Sequence, residues 1–289
     1  MKLIAIVMLG ALAVSGCGKG NKLNIGPVGP LDSNMDEVKE MNSGGLVRMA
    51  QSLEQSGDYG NAAQFYRDAL NRDPNILEAH LGMARLYERA GDMGRAATYY
   101  QNVLVLDPGH RQAVLGAARN LINQQRALDA RAVIEDYLAE NQPTAALLNQ
   151  LGVALDLSVN HSGAGTAYRE GLAMVAPGDD WHVILLNNLA LSLSLGEHFS
   201  EAILLLNPHI GDMRLGTQGI SQAQSSFRQN LALVYALSGK PESAYEVARS
   251  ALGEDLATHN RSFYTASPNL NDYERARAVF LGVLPDDAG

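Results

Sequence analysis

Cys17 is the single thiol in 289 residues, so an internal disulfide framework and a cysteine-based metal site are both excluded. Positive charge is also scarce. Lys+Arg number 22 against 31 Asp+Glu, a formal net charge of −9, whereas a nucleic-acid binder needs a basic footprint. Lysine is almost absent from the body: Lys2, Lys19, Lys22 and Lys39 lie at the start, and Lys240 alone lies beyond them. There is no long hydrophobic run. The apolar stretch within residues 1–16 is too short for a bilayer core, which takes roughly 20 apolar residues in a helix. The histidines, at 80, 110, 161, 182, 198, 209 and 259, never pair at the i, i+4 spacing of a helical metal site. Gly163-Ala164-Gly165 imitates part of a phosphate loop but lacks the strand before it and the Lys-Ser/Thr after it, and reads as a turn. Asp179-Asp180 and Asp286-Asp287 read as solvated ends. No nucleophile–base set emerges, so the expectation is a protein without catalytic residues, cofactor, metal, nucleic acid or small-molecule substrate.

What is present begins at the N-terminus. One positive charge followed by a short apolar run has the proportions of a secretory signal over residues 1–16. Val14-Ser15-Gly16-Cys17 then resembles the lipobox of bacterial lipoproteins, with Val where Leu is commoner. The resemblance implies cleavage before Cys17 and lipidation of Cys17, and two or more acyl chains make a stable anchor where one does not. Gly18, rather than an acidic residue, implies an outer-membrane address facing the periplasm. Residues 17–42 then form a tether. Its stretch 18–33 holds four Gly and two Pro without apolar periodicity and would span roughly 20–25 Å as a Gly-rich coil.

From residue 43 to 289 the chain keeps a 34-residue step. Ala62, Ala96, Ala130 and Ala164 follow it, as do Ala50, Ala84, Ala118 and Gly152. Gly57 and Gly91, Tyr66 and Tyr100, Pro74 and Pro108 keep the same interval. Leu46, Met49, Ala50 and Leu53 form a helical stripe, Gly57-Asp58 breaks the chain and caps the next helix, and Ala62, Tyr66 and Ala69 form the stripe of a second. Small residues recur where two backbones must approach closely. These residues carry a resemblance to the tetratricopeptide repeat (TPR). It implies an all-α solenoid of about six helix pairs in a right-handed superhelix, with 257–266 and 270–281 as capping helices over its open end.

Later units drift. Gln125-Arg126 replaces Gly-Asp, Ile134 replaces the aromatic, and the fourth unit keeps Ala164 and Tyr168 around a turn at 159–163 that reads as longer. Asn188-Leu189-Ala190-Leu191 recurs as Asn230-Leu231-Ala232-Leu233 after 42 residues, with an insertion at 208–220.

In TPR stacks the first helix of each pair lines a concave groove. Propagating the register puts Gln51, Leu81, Arg85, Leu115, Arg119, Asn149, Gln150, Asn187, Asn188, Gln229 and Asn230 on that face. Amide side chains suit a bound peptide because they donate and accept at once. The same amides could instead satisfy neighbouring helices. Arg85 and Arg119 could offer a fork pair to an acidic group or pair with carboxylates such as Glu88. Finally, Arg228 to Tyr235 followed by Ser238-Gly239, with the lipobox, resembles the TadD lipoproteins of the tight-adherence (Tad/Flp) pilus assembly system. That resemblance implies a pilotin-like adaptor whose partner is the pilus secretin or another Tad assembly component. Two alternatives stay open: a six-TPR lipoprotein that escorts type IV pilus secretins, and an envelope scaffold that recruits peptidoglycan enzymes.

Overall fold

The structure, a computed structural model, describes residues 41–213 and 221–283. The expected signal segment, Cys17 and the tether up to residue 40 lie outside the described residues. Every regular element among the described residues is helical, and the chain divides into two compact units at residues 141 and 142.

The N-terminal unit contains three helix pairs: α1 (Ser43–Ser56) with α2 (Tyr59–Arg72), α3 (Leu77–Arg89) with α4 (Met93–Leu106), and α5 (Arg111–Asn123) with α6 (Ala127–Leu138). The C-terminal unit contains α7 (Ala145–Leu157) with α8 (His161–Ala173), α9 (Asp180–Leu195) with α10 (Phe199–Leu206), and α11 (Gln222–Leu237) with α12 (Pro241–Leu252). Three short helices follow: α13 (Glu254–His259), α14 (Arg261–Ala266) and α15 (Asp272–Leu281). The six expected pairs are present.

Each pair is closed by a turn containing one residue of positive φ: Gly57, Gly91, Gln125, Val159, Glu197 and Gly239. The turn geometry therefore survives where glycine does not. At Val159 a β-branched side chain sits at φ 61°, a left-handed conformation that such residues adopt only under constraint. Asp58, Asp92 and Asn160 each accept a backbone N–H from three residues on, which starts α2, α4 and α8. The fourth turn is no longer than its neighbours. Helix α8 already begins at His161, so Gly163-Ala164-Gly165 is helical rather than a turn.

Packing explains the small-residue series. Ala50, Ala62, Ala84, Ala96, Ala118, Ala130 and Ala164 are all wholly buried. Two glycines the sequence reading did not single out have the same cause. A Cβ on Gly82 would stand 2.2 Å from Tyr66 Cζ, and one on Gly116 would stand 2.3 Å from Tyr100 Cζ. Each tyrosine ring thus lies directly on the backbone of the next pair's first helix, and any side chain there would displace it.

At the C-terminal end, α13 packs on α12, and α14 packs on α12 and α11. These two close the stack as expected, although the chain breaks into separate helices at Asn260. Helix α15 does not cap. It turns back and packs against α7 and α9, the first helices of the fourth and fifth pairs. Its Ala276, Ala278, Val279 and Phe280 are buried, and an end cap with one wet face would not bury so continuous a run.

Candidate partner-binding faces

In the N-terminal unit the first helices carry a repeated polar device. Arg85 on α3 donates through Nε to Glu54 Oε1 at 2.9 Å and through Nη2 to Oε2 at 2.7 Å. Tyr66 on α2 donates its hydroxyl to the same carboxylate at 2.8 Å. One repeat on, Arg119 donates both arms to Glu88 at 2.7 Å each, joined by the Tyr100 hydroxyl at 3.1 Å and Asn120 Nδ2 at 3.1 Å. A planar fork on a carboxylate fixes one helix against the next. Burial pushes the Glu54 carboxyl up, but the hydrogen bonds from Arg85 and Tyr66 outweigh it and hold the group below its ordinary range. Burial, reinforced by the adjacent carboxylates, pushes the Tyr66 and Tyr100 hydroxyls well up, so both remain donors.

Of the two readings of Arg85 and Arg119, this geometry corrects the free fork pair and shows the pairing with carboxylates: they spend their forks on Glu54 and Glu88. Leu81 is buried, while Gln51 and Leu115 are half-buried. The signal for the device was available in the sequence. Glu54 and Glu88 are 34 residues apart, and Asp156 stands at twice that interval beyond Glu88.

Asp156 is the C-terminal unit's version, without an arginine. It accepts from Tyr168 OH at 3.1 Å and Ser192 Oγ at 2.9 Å, and His161 Nδ1 lies 2.8 Å away. The carboxyl is completely buried. Burial pushes it up to about 6, even though all three neighbours pull the other way.

The amide ladder of this unit is interior. Asn149, Gln150, Asn187, Asn188, Gln229 and Asn230 are each at most 4% exposed. Asn188 Nδ2 donates to Asn149 Oδ1 at 2.7 Å, which links α9 to α7. Asn230 Nδ2 donates to Asn187 Oδ1 at 2.7 Å, which links α11 to α9. The expectation that these six lie open to a ligand is corrected: Asn149, Asn187, Asn188 and Asn230 each spend one side-chain hydrogen bond on a neighbouring first helix, and Gln150 and Gln229 are buried as well. The ladder is incomplete, however. Asn149 Nδ2, Gln150 Oε1, Asn188 Oδ1 and Gln229 Oε1 have no protein partner.

Arg228, which opens the block carrying the pilus-lipoprotein resemblance, is wholly buried. Its guanidinium donates to the carbonyls of Ile210 at 2.8 Å, Asp212 at 2.7 Å and Ser250 at 2.9 Å. It therefore fastens the start of the 208–220 insertion to α11 and α12. Nothing in a single sequence shows that an arginine has been taken into the interior by three carbonyls.

A family model described as the cilia and flagella-associated protein 70 middle TPR-like domain matches residues 46–253. The chain belongs to that TPR-like family. Among solved structures it is similar to a tetratricopeptide repeat protein from Parabacteroides merdae, at 14% identity and a TM-score of 0.55 over 81% of this chain and 87% of that one. It is also similar to PilF of Pseudomonas aeruginosa, at 16% identity and a TM-score of 0.52 over 82% and 96%. A third similar structure is PilW, described as a widely conserved type IV pilus biogenesis factor, at 17% identity and a TM-score of 0.50 over 80% and 96%. At these identities the likeness is one of fold. No curated protein sequence matches the chain. TPR-like domains are scaffolds for protein partners, and stacked repeats present extended surfaces suited to that use.

Proposed function

We propose that this TPR-like chain is a lipid-anchored adaptor of the outer membrane that serves pilus assembly, pilotin-like, by binding the Tad/Flp secretin or another assembly component. The observation that carries the reading is the Val14-Ser15-Gly16-Cys17 lipobox standing ahead of a run of six helix pairs that begins at Ser43. An anchor plus a solenoid is what a periplasmic adaptor needs: the lipid sets location, and the first-helix faces hold a partner. The fold shared with PilW and PilF supports pilus assembly as the setting. The block from Arg228 to Tyr235 favours the Tad system. The partner-facing residues of the N-terminal unit are Gln51 and Leu115, with the Glu54–Arg85 and Glu88–Arg119 pairs holding the helices that present them.

The test is purification of the tagged full chain from detergent-solubilised envelope, beside Cys17→Ser. The secretin is expected to copurify with the wild type, and the variant should lose lipid labelling and outer-membrane fractionation. A variant that still fractionates with the outer membrane refutes the anchor. Recovery of peptidoglycan enzymes in place of pilus components would favour the envelope-scaffold alternative.

A further inference from the structure

A groove lies away from the first-helix face, between the parallel second helices α4 and α6 of the N-terminal unit. Two hollows of about 330 and 520 Å³ share Gln101 and Val133, so they form one channel. Ala97 and Leu104 of α4 and Val133 of α6 wall it, and Val114, Ala117 and Leu121 of α5 form its floor. Its two ends differ in charge. Asp136 and Glu140 stand one turn apart where α6 ends, both exposed, and neither has an ion-pair partner among the described residues. Arg126 stands at the other end, where α6 begins, with its side chain 55% exposed and the positive end of the helix dipole beside it.

One segment of this chain matches that channel. The tether has the apolar spacing of neither helix nor strand, but Ile25-Gly26-Pro27-Val28-Gly29-Pro30-Leu31 repeats an apolar-Gly-Pro triplet. A polyproline II strand turns once in three residues, so this sequence can present Ile25, Val28 and Leu31 along one edge about 19 Å long. The channel runs about 15 Å from Gly94 to Leu104 along α4 and continues to Pro108. Lys19 and Lys22 precede the triplets, and Asp32 and Asp36 follow them. A segment laid with its start at Glu140 and its end at Arg126 therefore meets opposite charge at both ends.

The reach is sufficient. Arg72, the last residue of α2, donates to the Met41 carbonyl, so the described chain starts at the edge where the second helices end. From Leu31 to Met41 the chain extends to about 33 Å. The far end of the channel is roughly 28 Å away, from two helix spacings of about 10 Å across and about 20 Å along the helices.

We infer that residues 19–32 of the same chain dock in the α4–α6 channel. Ile25, Val28 and Leu31 lie against its apolar walls, Lys19 and Lys22 meet Asp136 and Glu140, and Asp32 meets Arg126. Docking brings Cys17 to the edge where α4 and α6 end. Only the consequence rests on the adaptor reading: with lipid on Cys17, the N-terminal unit is held on the membrane by one edge instead of swinging on a coil of roughly 20–25 Å.

The experiment uses the full chain in detergent, with Val28 replaced by the photo-crosslinking residue p-benzoylphenylalanine. Irradiation should join that position, within one chain, to residues 94–141. Reversing the acidic end (Asp136→Lys, Glu140→Lys) should lower the yield at least tenfold, and adding Lys19→Glu and Lys22→Glu should restore it. Ile25→Ser with Leu31→Ser should also lower the yield at least tenfold. That pair lies in the tether and leaves the packing of the repeats unchanged, so it decides the matter even where the charge reversal unfolds the chain. Crosslinks to detergent, to the first-helix face or to a second copy overturn the proposal. So does the absence of a crosslink, or a yield that the tether substitutions leave unaltered. None of these readouts involves lipid labelling or a secretin, so their failure leaves the adaptor reading standing.

Discussion

Arg119 reaches from α5 to Glu88 on α3 with both arms at 2.7 Å, and Arg85 makes the same reach to Glu54 one repeat earlier. Each pair sits partly out of solvent, with the Glu88 side chain 19% exposed and that of Arg119 30%. A fork held there by a tyrosine hydroxyl and an asparagine is more than a surface ion pair. It is the clip between consecutive repeats of the N-terminal unit.

Arg119→Ala should therefore destabilise the chain by about 1–3 kcal/mol in urea unfolding, above the roughly 0–1 of an exposed pair. A double-mutant cycle with Glu88→Gln should return a coupling of about 1 kcal/mol or more. A coupling near zero would place the pair among solvated surface contacts.

Gly116→Ala tests the close approach to Tyr100. Helix propensity alone predicts a gain of about 1 kcal/mol, but the new Cβ would enter the tyrosine ring at 2.3 Å. Overpacking should win, with a net loss of about 1–3 kcal/mol. Gly94→Ala, which meets only Asp92 Oδ1 at 3.7 Å, is the control and should be neutral or stabilising. Equal effects at the two sites would mean that the ring does not lie on the Gly116 backbone.

The opposite sign is expected at Val159. Replacing it with glycine relieves a β-branched residue at φ 61° and should raise stability by about 1 kcal/mol. Thermal melts of Val159→Gly and the wild type decide it, and a lower Tm refutes the strain.

Asp156 should make stability depend on pH. Between about pH 4 and pH 6 the folded chain keeps a proton on Asp156 that the unfolded chain has released. This group therefore favours the fold most at low pH and loses that contribution as pH rises through the window. The stability difference between wild type and Asp156→Asn should fall by up to roughly 3 kcal/mol from pH 4 to pH 7, since one pKa unit is about 1.4 kcal/mol. A difference that stays flat with pH would mean that Tyr168, Ser192 and His161 stabilise the ionised carboxylate as well as water does.

The 34-residue register, the positions of the pairs, the buried alanines and the tyrosines were legible in the sequence, because each follows from contacts that every repeat makes with its neighbour. A periodic cause leaves a periodic trace, and even the Glu54 and Glu88 carboxylates lie on it. The turn geometry at Gln125, Val159 and Glu197 did not need the glycine that would have announced it, since packing of the two flanking helices imposes it. Three further matters were decided by tertiary structure alone: which amides of the ladder pair with each other, how Arg228 is satisfied, and where α15 goes. A polar side chain on a first helix reads the same whether it faces solvent, a partner or the next repeat. Only the packed neighbours settle that, because hydrogen-bond satisfaction depends on distance in space. Helix α15 shows the limit most clearly. Its caps and apolar stripe identify a helix from sequence, but the surface that covers the stripe comes from α7 and α9, about a hundred residues earlier in the chain.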